Sequence, residues 1–253
     1  MASKYLSSEE LPAGTRIACR VEYHGGAFNG WQSQTHENVT TIQDVLEDAL
    51  SQVADCPVRV FCAGRTDTGV HAHCQIIHFD APASRSPKSW VFGGNGSLPR
   101  DVRMHWAVPV AADFHARFCA QARRYRYLIE DTSIPSAILS GAVAWHRREL
   151  NADAMHAAAQ ALPGERDFSA FRAASCQATS PMRNVQQVSV SRRENLVALD
   201  IQANAFLHHM VRNIAGALIM VGDGRRPVAW IEELLVARDR KLSADTAPAS
   251  GLY

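Results

Sequence analysis

The sequence predicts a mixed α/β protein built from two related halves. Two observations carry that expectation. In the first half the hydrophobic period switches between two and about 3.6 residues, in the order strand, helix, strand, strand, helix, strand. The second half repeats the alternation of strands and helices in weaker form, with no short repeat or low-complexity tract between them.

The first strand is marked by Ile17, Cys19, Val21 and Tyr23 alternating with Ala18, Arg20 and Glu22, and Gly25-Gly26 ends it. Thr41, with Asp44 three positions on, resembles a capping box. Ile42, Val45, Leu46, Ala49, Leu50 and Val53 then give one apolar helical face. Val58 to Cys62 and Cys74 to Phe79 are strands, followed by a helix near Pro87 to Phe92 and a strand from Val102 to Val108. That order is the split βαβ of ferredoxin-like domains.

In the second half, Arg124 to Glu130 is a strand and Asn151 caps a helix through Leu162. Strands at Val185 to Ser191 and Leu196 to Ile201 flank a polar turn, Arg192 to Asn195. A long helix from Phe206 to Val221 ends at Gly222, and Pro227 starts another through Ala237. The halves are assigned to residues 1–112 and 113–253. The tail from Ala244 to Tyr253 is small and polar.

Composition narrows the function classes. The chain has 253 residues, 47% of them apolar, enough for a substantial core. Charged residues make up 20%, and no stretch joins low hydrophobicity to high net charge, so wholesale disorder is excluded. The longest apolar run, Ala205 to Val221, is interrupted by His208, His209, Arg212 and Asn213 and does not read as a membrane span. The N-terminal stretch lacks an apolar signal core, and six scattered cysteines read as reduced thiols, so a cytoplasmic protein is expected. Net charge is only +1, so any nucleic-acid partner must be met by segregated positive charge.

Three clusters concentrate chemistry. AGRTDTGVHA (Ala63 to Ala72) lies between two strands and sets Asp67 two residues after Arg65. A guanidinium so placed can hold a carboxylate ionised and aimed, as a nucleophile or general base requires; an ordinary polar turn with a surface ion pair is the bland alternative. FHARFCAQARRYRY (Phe114 to Tyr127) mixes Arg117, Arg123, Arg124 and Arg126 with Phe114, Phe118, Tyr125 and Tyr127. Arginines neutralise phosphates and aromatic rings stack on unpaired bases. On a strand, alternation sends Tyr125 and Tyr127 to one face and Arg124 and Arg126 to the other; the alternative is a solvated arginine face. In FLHHMVR (Phe206 to Arg212), helical spacing puts His208 and Arg212 on one face. An arginine in so apolar a helix calls for a carboxylate partner, for which Asp67 is favoured, unless it snorkels to water. His71, His73, Cys74 and His78, with Cys62 upstream, lack the spacings of a zinc site, and no metal is expected.

These motifs, with YHGGAFNGWQ (Tyr23 to Gln32), TIQDVLEDAL (Thr41 to Leu50), SLPRD (Ser97 to Asp101), DFSAFR (Asp167 to Arg172), ANAFLHHMVRNIAGAL (Ala203 to Leu218) and the closing GLY, resemble the bacterial tRNA pseudouridine synthase A family along nearly the whole chain. The resemblance implies two ferredoxin-like halves fused into one extended, mixed and largely antiparallel sheet with helices on one side. It implies that uridines at tRNA positions 38, 39 and 40 are isomerised to pseudouridine by a homodimer, without metal or organic cofactor. Asp67 would be the nucleophile, Arg65 would help flip the uridine out, Tyr125 would pack on the base, and Arg212 would pair with Asp67. Phe114, His115, Arg117 and Phe118 would touch tRNA, and Arg85 matches a basic position near the RNA channel. Departures are Thr68 where alanine is common, His24 in place of an acid, and an end at Tyr253 where relatives often add a strand. Two competing readings are a non-catalytic RNA-binding module, which would have no need of a carboxylate facing phosphates, and a metal-dependent hydrolase built on the histidines around His71.

Overall fold

The computed structural model describes residues 5–34 and 39–253; residues 1–4 of the N-terminal stretch read above lie outside them. The chain divides into two compact units, Met1–Ala120 and Gln121–Tyr253.

In the first unit, β1 (Arg16–Tyr23) buries Ile17, Cys19, Val21 and Tyr23, as the alternation requires. Helix α1 (Ile42–Ala54) is capped by Thr41, which accepts the Asp44 N–H and donates to its carboxylate at 2.6 Å. β2 is only Phe61–Cys62, shorter than the expected Val58 to Cys62. The reason is competition: the Val58 N–H is taken by Ser51 Oγ at 2.9 Å and the Val60 N–H by Glu47 Oε1 at 3.0 Å, both on α1. β3 (Ala72–Asp80), α2 (Pro87–Ser97) and β4 (Val102–Pro109) follow. α2 runs beyond Phe92 because packing outweighs the low helix propensity of glycine; a Cβ at Gly94 would collide with Met104.

The sheet order is β2-β3-β1-β4 and every pair is antiparallel, the ferredoxin-like arrangement. Ile42, Leu46 and Leu50 of α1 and Trp90 of α2 pack with Ile17, Cys19, Ile77, Phe79 and Met104 in one core. Both helices therefore cover one face. The other face carries Ala18, Arg20 and His78, beside Phe61.

In the second unit the strands are β5 (Arg123–Asp131), β6 (Ala144–His146), β7 (Gly164–Asp167), β8 (Met182–Arg193) and β9 (Leu196–Ala203), in the order β6-β5-β9-β8-β7. Among the described strands only β5 and β6 run parallel. Val197, Leu199, Ile201 and Ala203 of β9 are buried in strict alternation. The edge strands β6 and β7, three and four residues long, are too short to show a period. The helices are α3 (Ala152–Ala159), α4 (Met210–Gly222) and α5 (Trp230–Ala237). Asn151 caps α3 as expected, accepting the Ala154 N–H.

Two details differ from expectation. The long helix starts at Met210, not Phe206, because His209 adopts φ 61° and breaks helical geometry. The tail is docked: Arg126 and Tyr253 exchange backbone hydrogen bonds of 3.0 and 2.9 Å, and Leu252 bridges Tyr127. Residues 251–253 thus line the outer edge of β5 beside β6. The described strands pair in two ladders, four strands in the first unit and five in the second. Among the described residues no helix is long and apolar enough to cross a membrane.

Candidate active site

The loop from β2 to β3 presents Asp67, and residues elsewhere in the first unit hold it at several points. The Ala63 N–H binds Ile76 O at 2.8 Å. The buried Gln75 amide clasps Gly64 at both ends, accepting from its N–H at 3.3 Å and donating to its carbonyl at 2.6 Å. Tyr23 Oη lies 2.8 Å from Thr66 Oγ1, and the Trp31 N–H donates to Thr66 O at 3.0 Å. A turn closes behind Asp67, whose carbonyl accepts the Val70 N–H at 3.1 Å, with Gly69 at φ 78°.

The block Tyr23 to Gln32 is therefore the cradle of this loop. Gly30 sits at φ 85°, and a Cβ there would lie 2.9 Å from Thr66 O and 3.1 Å from Thr68 N. A Cβ at Gly25 would collide with the Val70 carbonyl, and the Gly25 N–H donates to His71 Nδ1 at 3.0 Å. Helix α1 is tied to the same cradle: its first N–H groups, from Ile42 and Gln43, bind Gly30 O and Trp31 O at 3.1 Å each. None of these supports was singled out from the sequence. Tyr23 and Gln75 carried only the signal of strand positions, and Gly25-Gly26 only that of a strand end.

Asp67 is half-buried at the crest of the loop, and Arg65 and Thr68 are exposed. Arg65 lies within electrostatic reach of Cys62, as does Arg117. Burial nonetheless dominates and pushes the Cys62 thiol up to about 11, so it stays protonated at neutral pH.

The segment Phe114 to Phe118 belongs to the first unit and packs near the helix-free face of its sheet. Arg16 anchors it by donating to Ala112 O at 2.5 Å and Phe114 O at 3.0 Å, and the Ala116 N–H binds His78 Nδ1 at 3.2 Å. His115 and Phe114 pack against His78, with ring centroids 4.6 and 6.0 Å away. Phe118 is 76% exposed, and the Arg117 guanidinium lies 5.8 Å from its ring centroid. Arg85 is half-buried and donates to Val53 O near the end of α1 and to Ser84 O, a bracing arrangement visible in the fold itself. His24 packs its ring 4.3 Å from that of His71.

The histidines once weighed as ligands are engaged separately. His71 accepts from Gly25, His78 accepts from Ala116, and His73 contacts Glu22 and Arg20.

In the second unit, β5 separates its side chains as alternation requires. Tyr127 is fully buried, while Arg124 and Arg126 are exposed on the other face and both pair with Asp200, at 3.1 and 2.9 Å. Tyr125 is half-buried and meets Phe206 edge-on, centroids 5.0 Å apart. Arg212 is on α4, half-buried, and its Nε donates to Ala247 O at 2.8 Å. His208 is not on the helical face with Arg212, as had been expected. It lies in the preceding turn, where its N–H binds Cys176 Sγ and its ring contacts Ser175 Oγ at 3.1 Å. Buried Asn213 joins α4 to its surroundings: it donates to Phe171 O at 2.8 Å and accepts from Arg240 and Thr246. Tyr127 binds Pro248 O through its hydroxyl, and its ring fills the space where Gly251 would otherwise carry a Cβ. Burial raises the Tyr127 phenol, opposed by the charge of Arg212.

A chain in the crystal structure of a Cbf5-Nop10-Gar1 complex aligns with TM-score 0.33 and 13% identity, over 80% of this chain and 45% of that one, a likeness too faint to carry an argument. Sequence comparison is decisive. tRNA pseudouridine synthase A of Actinobacillus pleuropneumoniae serotype 7 is 55% identical over 238 residues, 94% of this chain and 90% of the relative. The protein of the same name from Xanthomonas oryzae pv. oryzae is 53% identical over 237 residues, 94% and 92% of the two chains. A family profile described as tRNA pseudouridine synthase matches residues 20–119 and 158–253, and so the chain belongs to the tRNA pseudouridine synthase family.

Proposed function

We propose that this protein isomerises uridine to pseudouridine at positions 38, 39 and 40 of the tRNA anticodon stem-loop, with Asp67 as nucleophile. The observation that carries the reading is the mounting of Asp67: a half-buried carboxylate on a loop pinned through Gly64, Thr66 and Val70, in a chain whose family makes pseudouridine. A surface turn has no need of such anchoring.

The reaction breaks the N1–C1′ bond of uridine and rebuilds it from C5 to C1′, so the base must turn over within the site. A stacked base cannot turn, and extruding the nucleotide costs a few kcal/mol. In this reading Arg65 helps to evert it, Tyr125 packs against the freed base, and Arg212 keeps the carboxylate charged. Three courses are open to Asp67: attack at C1′, attack at C6, or removal of a sugar proton. Each requires the ionised form. Phe114, His115, Arg117, Phe118 and Arg85 are assigned to tRNA contact. The enzyme is further proposed to be a cytoplasmic homodimer that needs neither metal nor organic cofactor.

The test is incubation with unmodified tRNA followed by chemical mapping of pseudouridine in the anticodon arm. Modification at those positions is expected, persisting after dialysis against a chelator. Asp67→Ala and Asp67→Asn should abolish it while tRNA binding survives; measurable turnover by purified Asp67→Ala protein would end the nucleophile assignment.

A further inference from the structure

We propose that Phe61 is a stacking surface for an unpaired tRNA base, a positioning residue beside the catalytic loop. Phe61 occupies β2, the strand that runs directly into that loop, yet 45% of it is exposed. Its ring lies 5.1 Å from that of His78, at an interplanar angle of 22°. It is also 5.7 Å from His115, whose ring lies 4.3 Å from that of Phe118. The rings form one continuous surface from β2 to the Phe114–Phe118 segment.

The bordering charge fixes the class of partner. The Arg117 guanidinium lies 5.8 Å from the centroid of Phe118, at the end of this ring surface, and Arg65 stands four positions beyond Phe61 in the loop that β2 runs into. Asp80, the carboxylate that acts on His78, is neutralised by Arg16 through hydrogen bonds of 2.7 and 2.9 Å. Rings bordered by cations match RNA, which supplies flat bases and phosphates together. A purely apolar protein partner would leave those guanidinium groups to be desolvated without compensation. The inference rests on the proposed tRNA substrate and adds a residue to it.

The experiment measures tRNA affinity and steady-state kinetics for Phe61→Ala, Phe61→Leu and Phe61→Trp in the full chain. Stacking is worth roughly five- to a hundredfold in affinity per base. Phe61→Ala and Phe61→Leu should weaken binding by a factor in that range, with the loss in KM rather than kcat, and Phe61→Trp should retain it. Leucine keeps the apolar bulk at this surface position, so it tests the ring even if alanine disturbs the strand. Affinity unchanged within twofold in the leucine protein, or lost self-association in place of weaker tRNA binding, would overturn the proposal. Wild-type protein that binds tRNA but makes no pseudouridine would instead sink the proposed reaction, leaving the affinity comparison for Phe61 readable.

Discussion

Gly30 carries one hydrogen where another residue would carry a side chain, and the position of Asp67 depends on it. Its φ of 85° and the approach of Thr66 O leave no room for a Cβ. Gly30→Ala is expected to cost about 1–3 kcal/mol, the usual range for a non-glycine residue held in left-handed backbone. Denaturant unfolding should show that loss, and kcat should fall further than stability explains, because the displaced atoms belong to the catalytic loop. Unchanged kcat in a folded Gly30→Ala protein would detach the cradle from catalysis. The loop itself stood out in the sequence, as glycines around a charged pair between two strands, although an ordinary polar turn reads the same way. Its supports did not stand out. Tyr23 and Gln75 reach Thr66 and Gly64 across 43 and 11 positions, and a hydrogen bond over such separations leaves no local pattern.

At the scale of the element, periodicity located β1, α1, β3, β4, β5, β8 and β9, and it failed where one backbone group had a better partner. β2 lost Val58 and Val60 to the side chains of α1, and α4 lost its expected first turn to the positive φ of His209. The Phe114–Phe118 segment shows how a titratable group can enter such a competition. His78 is buried and accepts the Ala116 N–H, so its Nδ1 is unprotonated. Burial first, then His115 and Arg16, hold its pKa below the ordinary value of 6.5, with Asp80 opposing. The unfolded chain therefore takes up this proton at higher pH than the folded one. The stabilisation is complete above the ordinary histidine value and is lost as pH falls toward the depressed one. His146, in the second unit, is lowered in the same direction. The comparison must then be between wild type and His78→Asn. Melting temperature should drop less in the variant than in wild type between pH 7.5 and 5.5; equal drops would remove His78 from the account.

For the whole molecule, 26 lysines and arginines against 25 carboxylates mean that tRNA binding depends on where the cations are placed. The sequence grouped Arg117, Arg123, Arg124 and Arg126 as one basic cluster. The fold divides them: Arg124 and Arg126 share Asp200 on the second unit's sheet, whereas Arg117 is exposed beside Phe118 in the first. A charge pattern on paper cannot distinguish them, because Asp200 lies 74 positions from Arg126 and meets it only through the register of β5 and β9. Counterion release makes the distinction measurable. If Arg117 neutralises a phosphate, Arg117→Gln should weaken tRNA binding and reduce the slope of log affinity against log salt by about one. Arg126→Gln removes a cation hydrogen-bonded to Asp200, the carboxylate it shares with Arg124; if that pairing keeps Arg126 from phosphate, its slope should match wild type. Filter binding of tRNA from low to moderate salt compares the three proteins. Equal slopes for Arg117→Gln and wild type would place the phosphate contacts elsewhere. A reduced slope for Arg126→Gln would mean that tRNA draws Arg126 away from Asp200 when it binds.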